Sequence, residues 1–156
     1  MKENLIKSAA VFLFFISALA VIGEEKLKKD YSVSGIKETP VVLIVGNKRI
    51  KAVIYDNKTG RDILSKLPYT ITLNRYEMDY CGTLNKPLAY DDKDKHNGWN
   101  NGDIDLAGNY FSILFDGEEK SKGYPNMITF GRITDNLAVI RELEITIKVT
   151  IKPADQ

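Results

Sequence analysis

The chain has 156 residues, 22 basic and 21 acidic side chains, a formal net charge of +1 and a single cysteine. A nearly neutral chain lacks the global electric field that attracts nucleic acid or an anionic membrane, so we expect neither as a partner. The lone Cys81 excludes an internal disulfide framework, and the length fits one domain with an appendage.

The first predicted element is a short apolar segment behind a basic start. Residues 9–22, AAVFLFFISALAVI, follow Lys2 and Lys7. As a helix this run would rise about 21 Å, which is less than the ~30 Å hydrocarbon core of a bilayer. Small residues at its end offer a cleavage signal, so residues 1–23 are predicted to be a signal peptide that exports the protein to the periplasm or out of the cell. Its removal would leave no stable membrane span; an uncleaved anchor and a buried helix are the alternatives.

A polar spacer and then the folded domain are predicted to follow. Residues 24–39 are polar and rich in lysine, as is typical of a spacer, and the domain is predicted over residues 40–152. Its first two apolar runs are separated by Gly46-Asn47, a dipeptide that favours a tight hairpin turn. The domain is therefore expected to begin with an antiparallel pair of strands.

A short helix is predicted next, over residues 59–67. Asn57 can cap it with a side-chain oxygen, and Pro68 ends it. Apolar and polar residues then alternate from Tyr69, which predicts another strand. From residue 75 to residue 100 the alternation disappears, and we predict a long irregular connection of a kind that is often functional.

The long connection contains the densest polar cluster of the chain. Asp92, Asp94 and Asn100 supply oxygen atoms in a pattern similar to a calcium loop, but Asn97 stands where the sharp turn needs glycine. We therefore predict a solvated loop and no metal site. His96 is a candidate acid–base partner of Asp94 or, alternatively, a surface histidine.

Order returns after Gly102. A second hairpin is predicted around Gly108, a strand with a following helical turn over residues 127–140, and a last strand over residues 143–151. Many strands with two short helices predict a mainly β, α+β protein. Closure into a barrel is favoured because it removes strand edges that could aggregate.

Three blocks of the sequence resemble, in the same order, a group of bacterial cyclophilin-like domains. The blocks are residues 50–72, with Tyr55-Asp56-Asn57-Lys58-Thr59 and Leu67-Pro68, residues 99–115 with their Gly-Asp-Ile hairpin, and residues 127–140, MITFGRITDNLAVI. The resemblance implies a closed eight-stranded β-barrel with two short helices. It implies no settled activity for the group.

True cyclophilins isomerise X-Pro peptide bonds, and the resemblance would imply a catalytic arginine in a Phe-His-Arg strand followed by Gln-Gly-Gly. Neither pattern occurs in this sequence, and Arg132 matches a basic position of the fold segment instead. We therefore expect no catalytic residue and no cofactor. The alternative is a divergent peptidyl-prolyl isomerase, for which Arg75 and Arg132 are the candidate arginines.

Four residues are candidates for ligand binding: Trp99, Asp103, Tyr110 and Arg132. The aromatic side chains either fill the barrel or line a concave apolar patch. Asp103 either holds the end of the long connection through backbone N–H groups or faces a ligand. The sequence thus predicts a binding module for an unidentified peptide or small ligand, with a groove at the mouth of the barrel. A structural or protein-interaction domain is the remaining alternative.

Overall fold

The computed structural model describes residue 35 and residues 37–154. The predicted signal peptide and most of the predicted spacer lie outside these residues. Among the described residues, no helix is both long enough and apolar enough to cross a membrane.

The described chain forms eight β-strands, two short α-helices and two 3-10 turns. The strands are β1 (Glu38–Val45), β2 (Lys48–Tyr55), β3 (Tyr69–Arg75), β4 (Asp79–Thr83), β5 (Asp103–Ala107), β6 (Tyr110–Leu114), β7 (Met127–Ile133) and β8 (Thr146–Pro153). The helices are α1 (Lys58–Leu64) and α2 (Ala138–Arg141), and the 3-10 turns are Asp92–Asp94 and Glu118–Gly123.

The strands close into a barrel in the order β1-β2-β7-β5-β6-β4-β3-β8. Every neighbouring pair is antiparallel. Each strand therefore has a partner on both sides, which satisfies the backbone without leaving an open edge. The predicted fold class, a mainly β closed barrel of eight strands with two short helices, is confirmed.

Local sequence signals account for the first half of the barrel. Gly46 has φ +58° in the turn that joins β1 to β2, a conformation that glycine adopts without steric cost. Asn57 caps α1, because its side-chain oxygen accepts a hydrogen bond from the backbone N–H of Gly60 at 2.8 Å. The helix ends at Leu64, earlier than predicted, because Lys66 N–H bonds the carbonyl three residues back in a tighter final turn.

The predicted irregular connection from residue 75 to residue 100 is wrong in its first part, where β4 forms. This strand pairs with β6 along its whole length, and its second residue, Tyr80, is completely buried. A strand of five residues with a glycine in it gives little periodicity, so the tertiary pairing decides its structure. At the front of the domain, β1 begins at Glu38, inside the segment predicted as spacer.

Side chains fill the interior of the barrel. The rings of Phe111 and Phe130 meet edge to face with centroids 5.6 Å apart, and both are fully buried. Tyr80 packs its ring 5.6 Å from that of Phe115, and its hydroxyl lies 2.9 Å from the carbonyl oxygen of Leu143. The barrel is therefore a packed core with no internal channel along these residues.

Replacing Tyr80 by phenylalanine is expected to destabilise the fold by about 1–2 kcal/mol, because buried carbonyl oxygens lose their donor while the ring stays in place. The hydroxyl of Tyr110, whose side chain is half exposed, is not buried, so Tyr110→Phe is the matched control and should change stability little. Urea unfolding of both variants measures the difference. Equal stabilities would show that the Tyr80 hydroxyl does not help to hold the end of the barrel.

Candidate functional site

The outer wall of the barrel carries a continuous surface across β4, β6, β5 and β7. Residues that pair across antiparallel strands point to the same face. Cys81 pairs with Ser112, while Ala107 pairs with both Tyr110 and Met127. These positions alternate with residues that fill the core, so they face outward. They form the floor of a cleft.

Three connecting segments rise around this floor and enclose a cleft of about 350 Å³. The β3–β4 turn contributes Tyr76, Glu77 and Met78, the long connection contributes Trp99, and the segment after the second 3-10 turn contributes Tyr124. The walls are thus mainly aromatic and thioether side chains. Such surfaces suit an apolar or amphipathic ligand.

Trp99 is held in a fixed orientation. Its indole N–H donates to the carbonyl oxygen of Asp116 at 2.8 Å. The hydroxyl of the buried Ser121 lies 3.1 Å from the backbone nitrogen of Trp99 and 3.1 Å from the backbone oxygen of Trp99. The preceding Gly98 has φ +78°, and a Cβ there would lie 2.6 Å from the Ser121 hydroxyl. The ring of Tyr124 stands 4.9 Å from that of Trp99 at 58°. The two rings form a preformed corner of the cleft.

Two carboxylates border this aromatic cleft. Asp79 lies at the start of β4, partly buried, and Glu77 precedes it in the β3–β4 turn. Burial raises the pKa of the Asp79 carboxyl above its usual range, and the neighbouring Ser112 hydroxyl partly offsets this effect. No ion pair between described residues involves either carboxylate. Within the described part of the chain, the cleft therefore has acidic side chains without a basic partner.

Cys81 also lies on the floor of the cleft. Burial raises the pKa of its thiol, to which the charge of Asp79 adds. The thiol is therefore neutral at physiological pH and is a poor nucleophile. It contributes an apolar, polarizable surface to the floor.

Asp103 and Arg132 face each other farther along the outer wall, on β5 and β7. The carboxylate of Asp103 accepts a hydrogen bond from the backbone N–H of Asn100 at 2.7 Å, which holds the end of the long connection. Arg132 pairs with Glu38 at 3.3 Å. Burial raises the pKa of the nearby Tyr55 to about 12, although the charge of Arg132 opposes the shift. Both sequence-predicted residues thus have structural partners here, outside the residues that line the cleft.

Asp105 lies between these two regions and is fully buried. In the strand register, Asp105 lies opposite Ser112 of β6 and opposite Thr129 of β7. Neither of its carboxyl oxygens has a hydrogen-bond partner. Burial raises its pKa to about 7, the charge of Asp103 adds to this effect, and the Thr129 hydroxyl opposes it. A large share of Asp105 is therefore protonated at neutral pH.

His96 lies against β7. Its Nε2 atom lies 3.0 Å from the Thr129 hydroxyl, so its partner is this threonine, whereas the sequence suggested Asp94. In the loop that resembles a calcium site, Asp92 pairs with Lys95 at 2.6 Å. No group of three or more His, Cys, Asp or Glu residues within the described part of the chain is arranged to hold a metal ion.

A second, smaller concavity of about 200 Å³ lies beside Tyr90, Lys95 and Asn126. The ammonium group of Lys95 stands 4.9 Å from the centre of the Tyr90 ring. The two side chains therefore already form a cation–π contact with each other. The larger cleft is the better candidate for a ligand site.

The sequence-predicted binding residues thus divide into two pairs. Trp99 and Tyr110 line the cleft, while Asp103 and Arg132 do not. The cleft also differs from the expected position, because it lies on the outer wall, whereas the sequence suggested the mouth of the barrel. Sequence reasoning missed Asp79 as a lining residue, since only the pairing of β4 with β6 turns it outward.

Comparisons with known proteins point to one fold. The model of a family described as the cyclophilin-like family matches residues 43–152. Among solved structures, the hypothetical protein AF2241 from Archaeoglobus fulgidus is similar with a TM-score of 0.55 and 16% sequence identity. The match covers 75% of this chain and 95% of that one, and at this identity it shows the fold alone. No curated protein matches the chain.

Proposed function

The chain belongs to the cyclophilin-like family, and we propose that it is an exported binding module whose outer-wall cleft holds a short peptide segment or a small molecule. The observation that carries the proposal is the aromatic cleft itself. Its volume of about 350 Å³ lies in the range of small-ligand sites, and fixed rings at Trp99 and Tyr124 wall it. Preformed walls reduce the ordering cost of binding.

The positions of the two candidate arginines favour binding over prolyl isomerisation. Isomerisation needs a donor aimed at the substrate amide. The guanidinium of Arg75 stacks 5.1 Å from the Phe115 ring and donates to the Arg141 carbonyl oxygen, while Arg132 is engaged by Glu38. The described residues that line the cleft include no arginine.

Export is supported by the N-terminal sequence, in which a basic start precedes a short apolar run and small residues. We expect the native protein in the periplasmic or secreted fraction, beginning near residue 24. Cell fractionation with N-terminal sequencing tests this. An intact N-terminus in the cytoplasmic fraction would contradict it.

The binding proposal predicts that aromatic fragments stabilise the protein through the cleft. Indole and phenol serve as probes in thermal unfolding of the full-length chain, with an expected gain of RT ln(1+[L]/Kd). Tyr124→Ala should reduce the gain severalfold, because it removes one wall of the corner. Tyr90→Ala, at a tyrosine of similar exposure outside the cleft, is the control and should retain it.

A proline-containing peptide, added to the same protein, distinguishes a binding module from a divergent prolyl isomerase. We expect no acceleration of its cis–trans exchange. Acceleration that Arg132→Ala abolishes would favour the divergent isomerase. Equal stabilisation of Tyr124→Ala and the unaltered chain by the probes would place their binding outside the cleft and contradict the proposal.

A further inference from the structure

The charge of the cleft has one sign. Its charged lining residues within the described chain are Glu77 and Asp79, and none is basic. Asp79 is partly buried beside Leu114 and Met78, in surroundings that penalise a bare carboxylate. Neither acid takes part in an ion pair between described residues. A positive charge entering the cleft would find a negative partner already in place.

The rings of the cleft have the same electrostatic preference. The faces of aromatic rings carry negative partial charge and attract cations within about 6 Å, with indole the strongest. Tyr76, Trp99, Tyr110 and Tyr124 all line the cleft, and Trp99 and Tyr124 stand at 58° to each other. Clusters of aromatic rings recognise ammonium groups in other proteins.

We propose that the ligand of this cleft is an organic cation, an ammonium or guanidinium group joined to an apolar body, held against the rings that line the cleft and the carboxylates of Glu77 and Asp79. This inference rests on the proposed function, because it names the chemical class that the binding module accepts. The apolar body would contact Met78, Leu114 and Met127. The same chemistry is available from a free amine and from a lysine or arginine side chain of a peptide.

Two matched pairs of probes test the charge directly. Choline and 3,3-dimethyl-1-butanol have the same shape and differ in one positive charge. A tripeptide Gly-Lys-Gly, blocked at both ends, and its norleucine counterpart form the peptide pair. Calorimetric titration of the full-length chain at pH 7 should show the cationic member of at least one pair binding about tenfold more tightly than its neutral partner.

Two variants assign the preference to the cleft. Asp79→Asn keeps the shape of the side chain and should reduce the ratio of affinities severalfold, while Glu77 and the rings retain part of the preference. Glu119→Gln removes an exposed acid on the second 3-10 turn and should leave the ratio unchanged. Thermal unfolding of both variants, compared with the unaltered chain, checks that the fold is retained.

The outcomes separate this inference from the proposed function. Equal affinity of the charged and neutral probes would overturn the inference, while binding in the cleft would stand. A ratio of affinities that is unchanged in Asp79→Asn would also overturn it, because the charge would then be recognised elsewhere. Absence of binding by all four probes, with indole or phenol still stabilising the chain, would leave the binding module but contradict its cation specificity. Which pair shows the preference identifies a free amine or a peptide side chain as the source.

Discussion

Replacing Asp105 by asparagine is expected to stabilise the protein increasingly as the pH rises from 5 to 8. The carboxyl is fully buried, and neither oxygen has a hydrogen-bond partner. Its pKa is about 7 in the folded protein, against 3.8 for the unperturbed group. Between these two values the unfolded chain releases the proton while the folded protein keeps it, so rising pH favours unfolding.

The size of this stability difference follows from the shift in the pKa of Asp105. Each pKa unit corresponds to about 1.4 kcal/mol, so the free energy of unfolding of the unaltered chain should fall by about 3 kcal/mol relative to Asp105→Asn between pH 5 and pH 8. Above pH 7 the ionised carboxylate is present in both states and the penalty is complete. Asparagine has nearly the same shape and no charge, so the variant escapes it.

Urea unfolding at several pH values between 5 and 8 measures this difference. Asp92→Asn, at an exposed position of the polar loop, is the control and should follow the unaltered chain. Parallel stability curves for Asp105→Asn and the unaltered chain would mean that Asp105 keeps an ordinary pKa. It would then have polar or solvent contacts that the structure does not show.

Replacing Trp99 by alanine is expected to cost about 3–5 kcal/mol of stability and to open the cleft. The side chain is only 7% exposed and packs against Leu114 and Met127. Its indole N–H also bonds the Asp116 carbonyl oxygen. Removing the ring leaves a large cavity between the long connection and the outer wall, and Tyr124 loses the partner that fixes its orientation.

Trp99→Phe separates packing from hydrogen bonding. Phenylalanine keeps most of the apolar surface but not the donor, so we expect a smaller loss of about 1–2 kcal/mol. Affinity for choline, which the Trp99 ring is proposed to contact, should fall in both variants and further in the alanine variant, measured at a temperature where both remain folded. An alanine variant as stable as the unaltered chain would show that Trp99 does not anchor the wall.

The barrel was largely predictable because its signals are local. The Gly46-Asn47 turn, the Asn57 cap and the alternation in most strands depend on neighbours in the sequence. Strand β4 was not predictable in this way, since its five residues are ordered by pairing with β6 and by the burial of Tyr80. Non-local contacts of this kind leave little trace in a single sequence.

The candidate site was predictable only in part for the same reason. Trp99 and Tyr110 stand out as aromatic residues near an irregular connection. Asp79 becomes a lining residue only through strand pairing. Asp105 alternates with Ile104 and Leu106, a pattern that predicts an exposed acid. The structure buries it between the neighbouring strands, opposite Ser112 and Thr129, and this pairing cannot be read from alternation.

The cleft on the outer wall is where we propose that ligands bind. The most direct measurement is a map of amide chemical shifts in the isotope-labelled full-length chain, titrated with indole and with choline. We expect the shifts to concentrate on residues 76–81, on Trp99 and on residues 110–114. Shifts confined to the concavity beside Tyr90 and Lys95, or none at saturating concentrations of either probe, would contradict it.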